Sequence, residues 1–189
     1  MDRILPLGVV YVCCSTALAL ALPNDVLARY EWARYASYAV AVLIPSIKQY
    51  AALSRFPEVT ALYLAVSWIS VIVLVAALWR ALDFSLERAV AKAGPGNMSA
   101  FTLGPIVLLA GFVFVLFDAP SKQEMTSTDT GLQLIVARMV SESRFALGLL
   151  GGWIFLAVAI MIVVSVKALI ASWRAVLRDR FTTNRKGNQ

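Results

Sequence analysis

The sequence predicts an all-α fold, a polytopic integral membrane helical bundle of four to five transmembrane helices. Three observations carry that expectation. The composition is too apolar for a soluble domain, four long stretches carry no charge, and the charged residues fall between those stretches.

Of the 189 residues, 60% are hydrophobic and 15% charged, and the mean hydropathy is +0.78. Soluble domains are typically about 45–50% apolar and about 25% charged. A water-soluble fold of this length has nowhere to bury the excess, so lipid is the expected solvent. The net charge is +6. Nucleic-acid binding calls for one clustered basic patch on a soluble surface, and the bases here are dispersed between apolar runs. They suit orientation in the bilayer and contact with anionic headgroups instead.

A spanning helix needs about 20 mostly apolar residues. Four runs meet that length: Ile4 to Leu22, Val59 to Trp79, Phe101 to Phe117 and Phe145 to Val166. The first is read as a retained span rather than a cleaved signal, because Asp2 and Arg3 cancel and the run exceeds the usual apolar core of a signal peptide. Pro57 and Glu58 mark the start of the second, since proline suits the first helical position and an acid the first turn. Ser99 is a plausible cap for the third.

A fifth stretch, Tyr35 to Ile47, is short and contains Pro45. It suits an interfacial or re-entrant segment. With its flanks it also allows a tilted crossing over about residues 33–50, within one helix from Asp25 to Ala52. Arg34 and Lys48 would snorkel outward, and Tyr30, Trp32, Tyr35 and Tyr38 suit a headgroup-level belt. Residues 1–173 thus form one transmembrane domain, and 174–189 a basic tail.

Lysine and arginine placement sets the orientation. The end of the chain holds Lys167, Arg174, Arg178, Arg180, Arg185 and Lys186 against the single acid Asp179, so it is expected in the cytoplasm. Five spans put 11 bases inside and 6 outside; four put 10 inside and 7 outside. The rule leans toward five. Between spans, Arg80 to Ala93 has helical apolar spacing and is expected to run along the inner surface until Gly94-Pro95-Gly96 breaks it. Leu132, Ile135, Val136, Met139 and Val140 form one apolar stripe, expected as a short helix on the outer face.

Chemistry is thinly supplied. The chain has no histidine, which removes His-ligated zinc or haem and the Ser-His-Asp triad. No cofactor and no metal site is expected. No apolar core holds Asp, Glu, Lys or Arg, and intramembrane charge is the usual mark of intramembrane function. Asp83 and Glu87 sit one turn apart with Arg80, Arg88 and Lys92 nearby, a solvated charged face. Cys13 and Cys14 are adjacent, a placement that seldom allows a disulfide between them, and are expected as buried apolar thiols. Trp68 is expected at a packed, inward position, with a partner for its indole N–H.

Two features concern packing and lipid. Gly148 and Gly152 form a G-x-x-x-G, and Gly104 and Gly111 share a face on the third run. Small residues let helices approach closely, within one chain or in a homo-oligomer or with a membrane-protein partner. Lys167, Arg174 and Arg178 share a helix face and are expected to contact anionic headgroups on the cytoplasmic side.

The leading expectation is a non-catalytic membrane protein, an accessory, assembly or scaffolding component of a membrane complex. The general character is that of a small bacterial inner-membrane protein. A small channel or transporter is the alternative, with Ser15, Thr16, Ser67, Ser70 and Thr102 as its polar lining. A lipid-acting enzyme using Asp83, Glu87 and Arg88 is the remote third.

Overall fold

The three-dimensional structure is a computed structural model. It describes residues 4–81, 103–104, 106–107, 110, 138–139 and 141–186. Among these, all regular structure is helical. The elements are α1 (Ile4–Ala21), α2 (Val26–Arg29), α3 (Glu31–Leu43), α4 (Ser46–Leu53), α5 (Pro57–Ala81) and α6 (Arg144–Lys186). Two stretches, Pro57–Arg80 of α5 and Arg144–Ala171 of α6, are long and apolar enough to cross a membrane. A shorter apolar helix, Leu5–Ala21, lies within α1.

Local chemistry accounts for most boundaries. α5 opens at Pro57, whose fixed φ suits a helix start and whose missing N–H leaves no donor stranded there. α1 stops just before Leu22 and Pro23. α6 contains no proline over its whole length and so is not interrupted; residues 174–186, the greater part of the expected basic tail, continue it as helix.

The stretch from Asp25 to Ala52 is not one helix. It is α2, α3 and α4, with breaks at Tyr30 and at Ile44–Pro45. The second break follows from proline. Its ring disfavours helical geometry in the residue before it, and Ile44 takes φ −130°, ψ 83°. α3, at 13 residues, is about 20 Å long by helical rise, short of the ~30 Å hydrocarbon core.

Side-chain contacts fix the directions of the long helices. Gly8 of α1 faces Leu156 of α6, Val12 faces Gly152, and Ala19 faces Gly148. These pairs run in opposite senses, so α1 and α6 are antiparallel. Tyr63, Trp68 and Trp79 of α5 meet Gly151, Phe155 and Lys167 of α6 in the same order, so α5 and α6 are parallel. α1 is therefore antiparallel to both. It ends at the end of the bundle where α5 begins, and α2, α3 and α4 return the chain to that same end.

The main core lies between these three helices. It includes Val12 from α1, Leu74 and Leu78 from α5, and Phe155, Ala159 and Val163 from α6. Trp68 is half-buried and stacks edge-on against Phe155, ring centroids 5.4 Å apart. Outward faces are apolar as well, with Ile72, Val73 and Trp153 exposed. Cys13 and Cys14 are exposed free thiols on the outer side of α1 rather than buried ones. Helical periodicity explains this: the inward stripe is Gly8, Val12, Ser15 and Ala19, and positions 13 and 14 turn away from it.

Candidate functional site: a hydroxyl cluster where three helices meet

Two hydroxyls and a backbone carbonyl meet at the junction of α1, α5 and α6. Ser15 Oγ and Tyr63 Oη are 2.7 Å apart. Ser15 Oγ donates to the carbonyl of Gly148 at 3.0 Å, and Tyr63 Oη lies 3.3 Å from the same oxygen. Tyr63 has no exposed surface and Ser15 is buried. Each hydroxyl has one proton. The chain with the shorter contacts has Tyr63 donating to Ser15 and Ser15 donating to Gly148.

Three glycines make the room. A Cβ on Gly148 would lie 2.5 Å from the Thr16 Cα. One on Gly151 would lie 2.5 Å from Tyr63 Oη, and one on Gly152 2.9 Å from Ser15 Oγ. The G-x-x-x-G thus seats α1 inside this one chain, and the glycine between admits the tyrosine. Ser67 is buried one turn along from Tyr63. A second hydroxyl pair lies deeper along the same helices: Tyr11 Oη and Ser70 Oγ, 2.8 Å apart, with Ser70 also donating to the Ser67 carbonyl at 2.7 Å. Thr16 donates to the Val12 carbonyl within its own helix at 2.8 Å.

Two cations of α6, Arg144 and Lys167, reach across to neighbouring elements at opposite ends of the bundle. At one end Arg144 of α6 donates to the Leu22 carbonyl at 2.7 Å, and to Asn24 Oδ1, just past the last turn of α1. Its guanidinium also lies over the Phe56 ring at 5.3 Å. Beside it, the Arg55 amide donates to the Ser141 carbonyl at 3.0 Å. At the other end Lys167 Nζ donates to the Trp79 carbonyl at 3.0 Å and sits 5.2 Å from the centre of that ring. A cation on terminal carbonyls suits the negative end of a helix dipole. The uncharged run between Arg144 and Lys167 rises about 33 Å, close to the ~30 Å thickness of a hydrocarbon core.

The remaining sequence-predicted residues are more dispersed. Lys167 turns toward α5 and Arg174 is exposed; the side chain of Arg178 lies outside the described residues. Among the described residues, nothing lies within 4 Å of where a Cβ on Gly104 would stand. Gly111, Thr102, Asp83, Glu87 and Arg88 lie outside the described residues, as do most of the 101–117 run, the inner helix through Ala93 and most of the Leu132–Val140 stripe. Among the described residues, no group of Cys, Asp and Glu side chains is placed to hold a metal ion.

Sequence reasoning missed Tyr63. It lies in an apolar run like any aromatic, and the carbonyl it faces is 85 residues away. The one available signal was the polar spacing of Tyr63, Ser67 and Ser70 along a single helix. Compared with protein-family models, with curated proteins and with solved structures, the chain matches none.

Proposed function

We propose that this chain is a non-catalytic integral membrane protein, an accessory, assembly or scaffolding component of a membrane complex, with four crossings. These are α1, α5, residues 101–117 and α6. Helix direction supports the count. Because α1 and α5 are antiparallel, α2–α4 makes no net crossing. Because α5 and α6 are parallel, the chain crosses once between them, and 101–117 is the apolar run available for it. Both termini then share a side. The six bases from Lys167 onward favour the cytoplasm for that side, with a bacterial inner membrane as the proposed location.

The observation that carries the non-catalytic reading is the closure of the polar groups. Ser15 and Ser70, two of the hydroxyls a pore would line itself with, are bonded to Tyr63 and Tyr11, and Ser67 is buried beside them. Their chemistry serves helix association. The apolar outer faces suit lipid or a partner's helices, and the basic end of α6 suits anionic headgroups.

Purification in mild detergent tests the reading. Self-association or a co-purifying membrane partner is the expected result. A solitary monomer, joined by solute flux into proteoliposomes above that of empty vesicles, would replace it with the channel alternative. Reporter fusions at the two ends test the topology and should report the same compartment.

A further inference from the structure

We propose that α3 and α4 form a re-entrant hairpin, which enters one leaflet of the bilayer and leaves on the side it entered. Its tip, Val42 to Pro45, lies among the acyl chains. The inference rests on the four-crossing reading above. Its first support is connectivity. α2 is tied to the start of α5, because the Leu27 and Ala28 amides donate to Glu58. α4 ends there too, because Thr60 Oγ1 donates to Ser54 Oγ at 2.8 Å. The segment between leaves and returns to one end of the bundle.

Its second support is the fold of the hairpin. Lys48 of α4 places Nζ 5.4 Å from the centre of the Tyr38 ring of α3, a contact made across a sharp bend at Ile44–Pro45. Ala33 packs with Val26 and Leu62, and Val66 adjoins that cluster. This level is about 6–12 Å along α5 from Glu58, by helical rise.

The third support is the polarity profile of the exposed face. Near its start stand Trp32, Tyr35 and Tyr38, with the Arg34 guanidinium over Tyr35 at 5.8 Å. Amphipathic rings with adjacent cations belong at headgroup level. Toward the tip the face becomes wholly apolar, with Val42 58% and Leu43 77% exposed. Beyond the tip, polarity returns with Lys48 and Gln49. Charge at both ends and none at the tip is the pattern of a segment that enters lipid and comes back. Acyl chains are the occupant that covers Leu43. The break in the helix is tolerated at that depth because the hairpin packs on α5.

Single cysteines in a background with Cys13 and Cys14 replaced by alanine test this, in phosphatidylcholine vesicles with a membrane-impermeant maleimide. Ala28→Cys and Arg55→Cys should label from the same side. Leu43→Cys should lose that labelling, and a bimane attached to it in detergent should, after reconstitution, be quenched by a nitroxide midway along the acyl chain. Val42→Cys replaces Leu43→Cys if the latter is not monodisperse. Equal aqueous labelling at Leu43 and Ala28 would overturn the hairpin and leave the topology standing. Labelling of Ala28 and Arg55 from opposite sides would overturn both. A disulfide-linked Leu43→Cys dimer would assign the face to a second copy and also overturn the proposal.

Discussion

The carboxylate of Glu58, in the first turn of α5, accepts the backbone N–H of Leu27 at 2.7 Å and that of Ala28 at 3.2 Å. Asp25 occupies the N-cap position before α2 but makes no side-chain cap of its own. The orphan amides of one short helix are thus satisfied by the acid that opens another. Glu58→Ala removes a cap and a favourable charge at a helix N-terminus, and should destabilise by about 1 kcal/mol. Glu58→Gln, which keeps an acceptor, should lose less. Thermal unfolding in detergent measures both; equal loss would show that charge rather than the acceptor matters.

Gly148→Ala should be the most damaging glycine substitution. Its Cβ would meet the backbone of Thr16, and backbone yields only if α1 moves away from α6. Overpacking of this kind typically costs about 1–3 kcal/mol. Gly104→Ala is the matched control, with none of the described residues within 4 Å of its added Cβ, and should leave the melting temperature unchanged.

Ser15 and Tyr63 should be energetically coupled. Ser15→Ala leaves Tyr63 beside a carbonyl at 3.3 Å, while Tyr63→Phe leaves Ser15 bonded to Gly148. A double-mutant cycle should return a coupling of about 0.6–2 kcal/mol, the range for hydrogen bonds between apolar-embedded helices. Additive single effects would show that the pair contributes packing alone.

Ser37→Ala should have the opposite sign. Ser37 Oγ is the one buried side-chain polar atom among the described residues with no hydrogen-bond partner. A buried hydroxyl left unsatisfied costs about 1–3 kcal/mol. Removing it should be neutral or stabilising in the same unfolding assay.

Much of this architecture is legible in residue order. The first run, Ile4 to Leu22, differs from α1 by one residue, and the start at Pro57 follows from proline and acid chemistry. Pro45 is visible too, but an Ile-Pro step alone does not tell where the chain goes next; the bonds that tie Leu27 and Ala28 to Glu58 and Ser54 to Thr60 do. Counting bases leans toward five crossings because that topology puts Arg29 and Arg34 inside and only Arg3 outside in exchange, a margin of one base that carries no information on helix direction. Helix direction emerges only from distant pairs such as Tyr11 and Ser70. The hydroxyl cluster was hidden for the same reason, since its members come from three separate helices.

α6 continues from Ala168 to Lys186 beyond the lysine that pins it to Trp79, a further ~28 Å at about 1.5 Å per residue. A rigid rod anchored at its base behaves as a ruler. A fluorophore or fused domain at its tip would be held at a set height, and the buried Val163, Ala168 and Ala171 of α6 fix which way the rod faces around the bundle.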